Sequence, residues 1–360
     1  MLVRQGIEIK FICLEQTNWP TSGIEVIVAD KISQNGKDWG EACEIAASKL
    51  KGTGWIPDFI YSHQGWGVWK VRNIFQQAKS LIYCEWWYTH DSLSYFSANT
   101  NIEDDSKFAK SFWSINQEGL EGIQSYDIGV TPTYWQKNSF PSNIRKKLTV
   151  IKDGFPSDLF SLNKQEFTKD SPIRLCYVSR GMEYTRGLDL LYYLNKLLEE
   201  STIKYELYVV ADNRRVYDDP ETFRQMEYMR DKICTEKDRI KWSSQLSYTD
   251  YLNVVAQSDI HLYLSRPFVL SWSLIESMLV GSRVIGCNNP SLAEIVSPMV
   301  GQARNIKSIF EAVKNYSSGE KLDAMRKSKF IWANSCDGIS FRNEYSLELQ
   351  CRRLIELFLE

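Results

Sequence analysis

Two arginines six residues apart, Arg180 and Arg186, lie in the stretch Ser179-Arg-Gly-Met-Glu-Tyr-Thr-Arg-Gly187, directly after the apolar run 172–179. A guanidinium stays charged and grips phosphate oxygens through paired N–H groups, so a glycine-bearing loop of this kind, with Gly181 next to Arg180, suits a diphosphate. On this loop alone, two surface arginines in weak ion pairs fit as well. A second stretch tilts the balance. Tyr263 to Gly281 reads as a strand end, a polar loop, and a helix that starts at Ser271 to Ser273 and stops at Gly281. A helix start points free N–H groups and a positive dipole end forward, which makes it a ready anion seat. Ser271, Trp272 and Ser273 would supply those groups. Glu276, just inside the helix, could grip a neutral hydroxyl beside the phosphate. Ser273-Leu-Ile-Glu276 also matches a capping box, with Glu276 closing back on a backbone N–H, and the pattern alone favours that role. A phosphate seat beside a hydroxyl-binding carboxylate points to a nucleotide or a nucleotide sugar.

Two further loops carry chemistry. Asp58-Phe-Ile-Tyr-Ser-His63-Gln-Gly-Trp66-Gly67 ends a strand with a histidine that could bond a substrate or move a proton. A lone histidine is more often structural. Tyr83-Cys-Glu85-Trp86 ends the next strand, and Glu85 could hold a sugar hydroxyl or act as a base. A buried, paired carboxylate is the plain alternative. Nine of the twelve tryptophans precede residue 150. Most belong to core packing, whereas Trp66 and Trp86, beside polar turns, are the ones expected to stack on a sugar ring. Arg145-Lys146-Lys147 reads first as solvated surface, with peripheral membrane contact as the alternative. No GxGxxG, Walker loop, nucleophile elbow or zinc spacing is present, and the acidic run Glu103-Asp104-Asp105 has no metal-ligand spacing.

These loops need strands and helices behind them. Short β-rich runs alternate with helical patterns throughout, the mark of α/β units on parallel sheets. Strands are expected at 7–13, 24–28, 58–62, 80–85, 127–131, 148–152, 172–179, 205–211, 239–242, 259–264 and 283–287. Helices are expected at 37–51, 105–124, 187–200, 220–235, 248–257, 272–280, 291–296, 305–315, 319–334 and 341–358. Gly154 and Pro156 punctuate the chain where a fresh βα series begins, which divides it there. Two α/β halves meeting at such a hinge would form a cleft, with ligands outside the carboxyl ends of the strands. One strand is out of place. Arg4-Gln5-Gly6 looks like a helix end leading into 7–13, whereas a doubly wound domain starts one strand earlier and puts that strand centrally. Either another segment fills the gap or the start lies upstream.

Composition narrows the function. The chain has 360 residues, enough for two domains, and its net charge of −2 gives no basic field for nucleic acid. The eight cysteines include no CxxC pair, which favours reduced thiols in a cytoplasmic setting. Three histidines argue against a histidine-rich metal site. No apolar run spans a bilayer, and Glu8 and Lys10 argue against a signal peptide.

The two arginine-bearing and serine-bearing stretches, Ser179 to Gly187 and Tyr263 to Met278, resemble retaining glycosyltransferase family 4. Pro57 to Gly67, Tyr83-Cys-Glu85 and Thr131 to Gln136 resemble one bacterial branch of it. The resemblance implies a GT-B fold, two Rossmann-like domains facing a central cleft: an acceptor domain at 1–152, a nucleotide-sugar domain at 153–340, and a C-terminal helix, 341–360, crossing back to the first. It implies that Arg180 and Arg186 bind the donor diphosphate, that Glu276 holds the ribose hydroxyls, and that His63 faces the donor sugar. A cofactor or metal is not expected; the partners are a nucleotide sugar and a saccharide or lipid-linked acceptor, in the cytoplasm or at the inner face of the membrane, as in polysaccharide biosynthesis. One departure stands out. The family pairs Glu276 with a glutamate eight residues earlier, and here that residue is Phe268. A sugar-nucleotide epimerase and a non-catalytic nucleotide-sugar binder remain as alternatives.

Overall fold

The computed structural model describes residues 2–13, 23–29, 39–99, 102–156, 159, 171–234, 238–287, 289–295 and 297–360. They divide into two units: Met1–Tyr88 with Asp104–Gly154 and Leu347–Glu360, and Thr89–Glu103 with Phe155–Ser346.

The first unit holds two parallel sheets. Ile9–Cys13 (β1) and Ile24–Val28 (β2) pair in register from Ile9 against Ile24. Phe59–His63 (β3), Lys79–Tyr83 (β4), Ile128–Thr131 (β5) and Leu148–Val150 (β6) follow one another in a four-stranded sheet. No described strand joins the two sheets. A helix connects them instead. In Trp39–Gly52, Ala42 and Ala46 meet Ile12 and Ile27, while Ala47 and Leu50 join the core around Ile60 and Ile82. Alanines suit that position because they let the helix lie close to both sheets. Residues 37 and 38 of the expected helix lie outside the described residues. Of the first unit's basic cluster, Arg145 donates to the carbonyls of Phe140 and Asn138 and so acts as a local clamp.

The second unit has one six-stranded parallel sheet. Its strands are Ile173–Ser179 (β7), Tyr205–Ala211 (β8), Ile240–Ser243 (β9), Ile260–Tyr263 (β10), Arg283–Cys287 (β11) and Val300–Ala303 (β12). Their order is β12-β11-β10-β7-β8-β9. The chain winds outward from β7 to β9, returns to lay β10 beside β7, and winds outward the other way. Parallel strands covered on both faces must be apolar along their length: all of β10 is buried, as are Leu175, Cys176 and Tyr177 of β7. The helices between them start at side-chain caps, Asp219 for Pro220–Ile233 and Ser247 for Tyr248–Gln257.

The fold is the expected α/β class with parallel sheets. Three local readings change. β12 escapes the sequence reading because Val-Gly-Gln-Ala has little β-branched content. The expected helix 341–358 is two helices, Cys336–Glu344 and Leu347–Leu359. The break falls at Tyr345 and Ser346, where the Phe155 N–H donates to the Tyr345 carbonyl and Phe155 pairs with Ser346 in a parallel bridge. The expected helix 291–296 is the short Pro290–Ala293; residue 296 lies outside the described residues. Leu347–Leu359 groups with the first unit, its Phe358 ring 4.7 Å from Phe59. Among the described residues no helix is long and apolar enough to cross a membrane.

Candidate functional site

In a doubly wound sheet, ligands bind where the strand order reverses, outside the carboxyl ends of the two central strands. In the second unit those strands are β7 and β10. The loops that follow them, 179–187 and 264–271, are the two arginine-bearing and serine-bearing stretches. They lie hard against each other. The Arg266 N–H donates to the Thr185 carbonyl at 2.8 Å, and a Cβ on Gly187 would stand 2.3 Å from the Leu264 carbonyl oxygen. Gly187 also has φ +79°, so glycine is needed there on both counts. Arg266 itself is not aimed outward: its guanidinium makes two bonds to Asp189, at 3.0 and 2.8 Å. Although burial opposes it, this pairing raises the Arg266 pKa.

The two expected phosphate-binding arginines converge on one aromatic cluster. Arg186 lies 5.9 Å from the Phe268 ring centroid and Arg180 5.1 Å from that of Tyr217. Tyr217 and Phe268 meet edge to face at 5.6 Å, and Phe96 packs on both. Cations over ring faces gain electrostatically. The arginines differ in setting. Arg180 is exposed, whereas the Arg186 side chain is 12% exposed and its Nε stands 3.7 Å from Glu183, which is fully buried. Arg186 Nη1 and both Glu183 carboxylate oxygens are buried without a hydrogen-bond partner. Gly181 has a reason within the chain: a Cβ there would stand 2.7 Å from the Arg214 carbonyl, in the loop after β8.

The same loop after β8 contributes Asp218, a residue the sequence reading missed. It is 3% exposed and accepts the Tyr184 N–H at 2.7 Å. Burial pushes its carboxyl up to about 7; nearby Glu183 adds to the rise, and the Tyr184 N–H and Arg266 oppose it.

Helix Trp272–Leu279 starts within the expected stretch; its N-cap is Ser271 rather than the Ser273 of the capping-box reading, and no side chain caps it. Two site expectations are corrected here. The Ser271 N–H already donates to the Tyr263 hydroxyl at 3.2 Å, so it is engaged within the chain. Glu276 does not close a capping box with Ser273. Its carboxylate accepts the hydroxyls of Tyr248, at 2.7 Å, and of Tyr251, both from helix Tyr248–Gln257. The reason is burial: Glu276 is 3% exposed and needs strong donors, which two tyrosines one helical turn apart supply. Burial raises the Glu276 pKa and the two hydroxyls hold it back. The spacing Tyr248-x-x-Tyr251 is the signal available in the sequence. Ser273 is buried and its carbonyl accepts Ser277 Oγ at 2.6 Å, while Ser277 Oγ contacts His261 Nδ1 of β10. Burial pushes the His261 imidazole down to about 4, so it is neutral. Trp272, in contrast, is 61% exposed.

The first unit gathers a second set at the carboxyl ends of β3 and β4. The Gly65 N–H donates to His63 Nδ1 at 2.9 Å, which leaves the proton on Nε2, 3.7 Å from Glu85 Oε2. Trp66 stacks on His63 at 4.9 Å and is half exposed. Its φ is +60°, a left-handed conformation that a bulky residue rarely adopts and that often marks a functional turn. Glu85 is held from behind: its carbonyl accepts Gln136 Nε2 at 2.8 Å. Trp86 is a correction. It is 4% exposed and packs on Trp135 at 5.8 Å, so its ring belongs to the core and cannot meet a sugar.

Comparison with known proteins bears on the fold. Residues 9–160 match the family described as "Glycosyl transferase family 4 group". Among curated proteins no sequence matches. Sucrose-phosphate synthase from Thermosynechococcus elongatus is similar in structure, with TM-score 0.71 and 14% identity over 99% of this chain and 90% of that one. A glycosyltransferase from Rickettsia africae gives TM-score 0.67 and 16% identity over 99% and 91%. HepE of Anabaena, solved in complex with UDP-glucose, gives 0.61 and 12% over 91% and 86%. Residues 9–160 are thus similar to the family 4 glycosyltransferases, and the chain as a whole has the GT-B fold.

Proposed function

We propose that this protein transfers a sugar from a nucleotide-diphosphate sugar to a saccharide or lipid-linked saccharide acceptor, with retention at the anomeric carbon and without a metal ion. The observation that carries the reading is the meeting of the loops after β7 and β10 at the strand reversal, with Arg186 beside the stretch that opens helix Trp272–Leu279. The bond from the anomeric carbon to the diphosphate oxygen breaks, and its electrons leave with the diphosphate. Arg180, Arg186 and the first-turn amides of Trp272 and Ser273 would meet that growing charge. The acceptor hydroxyl oxygen bonds to the anomeric carbon on the face the diphosphate leaves, and its proton passes to the departing diphosphate oxygen. Glu276 would hold the ribose. In the first unit His63, with Glu85 beside it, would face the sugar, and Trp66 offers a half-exposed ring for stacking. HepE is solved with UDP-glucose, so a UDP-sugar is the first donor to try.

The test is Arg186→Ala. Loss of one charge-stabilising group lowers kcat/KM by about a hundredfold or more. Turnover equal to the parent's in that variant, measured by release of the nucleoside diphosphate, removes the assigned role. One observation favours a second reading, a nucleotide-sugar binder without catalysis. Phe268 stands where the family has a carboxylate, and it is buried under Phe96 and Tyr217. That reading expects thermal stabilisation by UDP-sugars with no release of UDP in the presence of any acceptor pool.

A further inference from the structure

Glu276 is nearly closed off, yet its carboxylate carries two hydroxyl donors from a different helix. Each carboxylate oxygen has two acceptor positions. Tyr248 takes one on Oε1 and Tyr251 one on Oε2, which leaves one on each oxygen. The carboxylate is therefore held through both of its oxygens, and each keeps one acceptor position beyond the tyrosine hydroxyl. A plain structural need for the buried charge would be met by either hydroxyl with backbone or solvent. Two tyrosines converge on it instead, and one of them, Tyr248, is 52% exposed, so its ring is not there to fill the core.

We propose that Tyr248 and Tyr251 are positioning residues for the nucleotide ribose: they hold the Glu276 carboxylate so that its two remaining acceptor positions meet two neighbouring ribose hydroxyls. This rests on the reading that Glu276 faces the ribose of the donor. The hydroxyls also oppose the rise that burial imposes on the Glu276 carboxyl. Neither tyrosine touches the diphosphate in this arrangement, so their effect is confined to the nucleoside part of the ligand.

That confinement gives the test. Binding of two probes, UDP and inorganic pyrophosphate, is measured by calorimetry on the full chain and on Tyr248→Phe, Tyr251→Phe, the double variant, Glu276→Gln and Arg186→Ala. A hydrogen bond to a charged group is strong enough that the double Phe variant is expected to weaken UDP about tenfold or more. Pyrophosphate should stay within about twofold, since it has no ribose to lose. In a Glu276→Gln background the Tyr→Phe changes should add nothing further. Equal loss of both probes would mean that the tyrosines only maintain the fold, and the proposal falls. If Glu276→Gln weakens UDP while the Tyr→Phe variants leave it unchanged, the tyrosines only satisfy a buried carboxylate, and it falls again. If Glu276→Gln leaves UDP unchanged, the ribose contact itself is wrong and the positioning role goes with it. Arg186→Ala is the separate check on the diphosphate reading, because it should weaken both probes. If the double variant fails to fold, Tyr248→Phe alone decides, as the hydroxyl it removes belongs to the exposed ring.

Discussion

The two units hold their polar groups in opposite ways. In the second, Arg186, Glu183, Asp218 and Glu276 are sunk among rings and strands. In the first, His63, Glu85 and Trp66 lie nearer the surface, stacked and spaced, with the His63–Glu85 separation of 3.7 Å beyond a hydrogen bond. Buried charge is costly unless it is paired and hydrogen-bonded. The second unit therefore keeps its polar groups away from water, and the first leaves them nearer solvent.

Changes in the second unit should then cost more than changes in the first. The largest stability effect is expected from Phe268→Ala. The ring is 1% exposed and packs edge to face on Phe96 and Tyr217, so truncation should cost about 3–5 kcal/mol in urea unfolding. A loss below ~1 kcal/mol would mean that the cluster is not a support for the arginines.

A smaller effect, on the order of 2–4 kcal/mol, is expected from the pH dependence of Asp218. Its carboxyl, 3.8 in the unfolded chain, rises to about 7 when folded. The folded state therefore binds more protons between those values, so this contribution is full below 3.8 and is lost as pH rises through about 7. His261 has the opposite sign. Its imidazole falls from 6.5 to about 4 on folding, so its buried neutral form costs nothing above 6.5 and destabilises the fold as pH falls toward about 4. The two oppose each other across that window. In Asp218→Asn the carboxyl slope vanishes, and thermal stability should climb from about pH 4 to 6.5 more steeply than in the parent. Identical Tm–pH profiles would show that Asp218 titrates in the fold as it does in the unfolded chain.

The smallest effect belongs to the first unit. Trp66→Gly removes a half-exposed ring and relieves a left-handed backbone, so the net change should be below ~1 kcal/mol by thermal unfolding. A loss of several kcal/mol would erase the contrast between the units, because it would make Trp66 part of the core.

Much of this is legible in the residues. Strand and helix positions follow from period and punctuation, since apolar alternation and Gly or Pro boundaries are local properties; Tyr205–Ala211 and Tyr248–Gln257 fall where expected. Arg180, Arg186 and the helix start near Ser271 are also visible, because a loop after a strand and the start of a helix can be read from neighbours in the chain. Trp86 defeats the sequence reading because sequence does not say which side of a turn a ring faces; Trp135, distant in the chain, decides it. Glu276 defeats it for a similar reason. Within its own helix the nearest partner is a backbone N–H, and the local pattern names that one. The partners it has, Tyr248 and Tyr251, come from the preceding helix, and burial makes them win.

The sequence by itself determined the class of the fold, the two loops that carry Arg180, Arg186 and the serines opening helix Trp272–Leu279, and the absence of a carboxylate at Phe268. Only the tertiary structure decided that β7 and β10 are neighbours, that the two loops interlock, and that Glu183 and Asp218 are buried beside them. The physical reason is range. Periodicity, caps and turns act over a few residues, whereas desolvation and pairing depend on groups that the strand order brings together from distant parts of the chain.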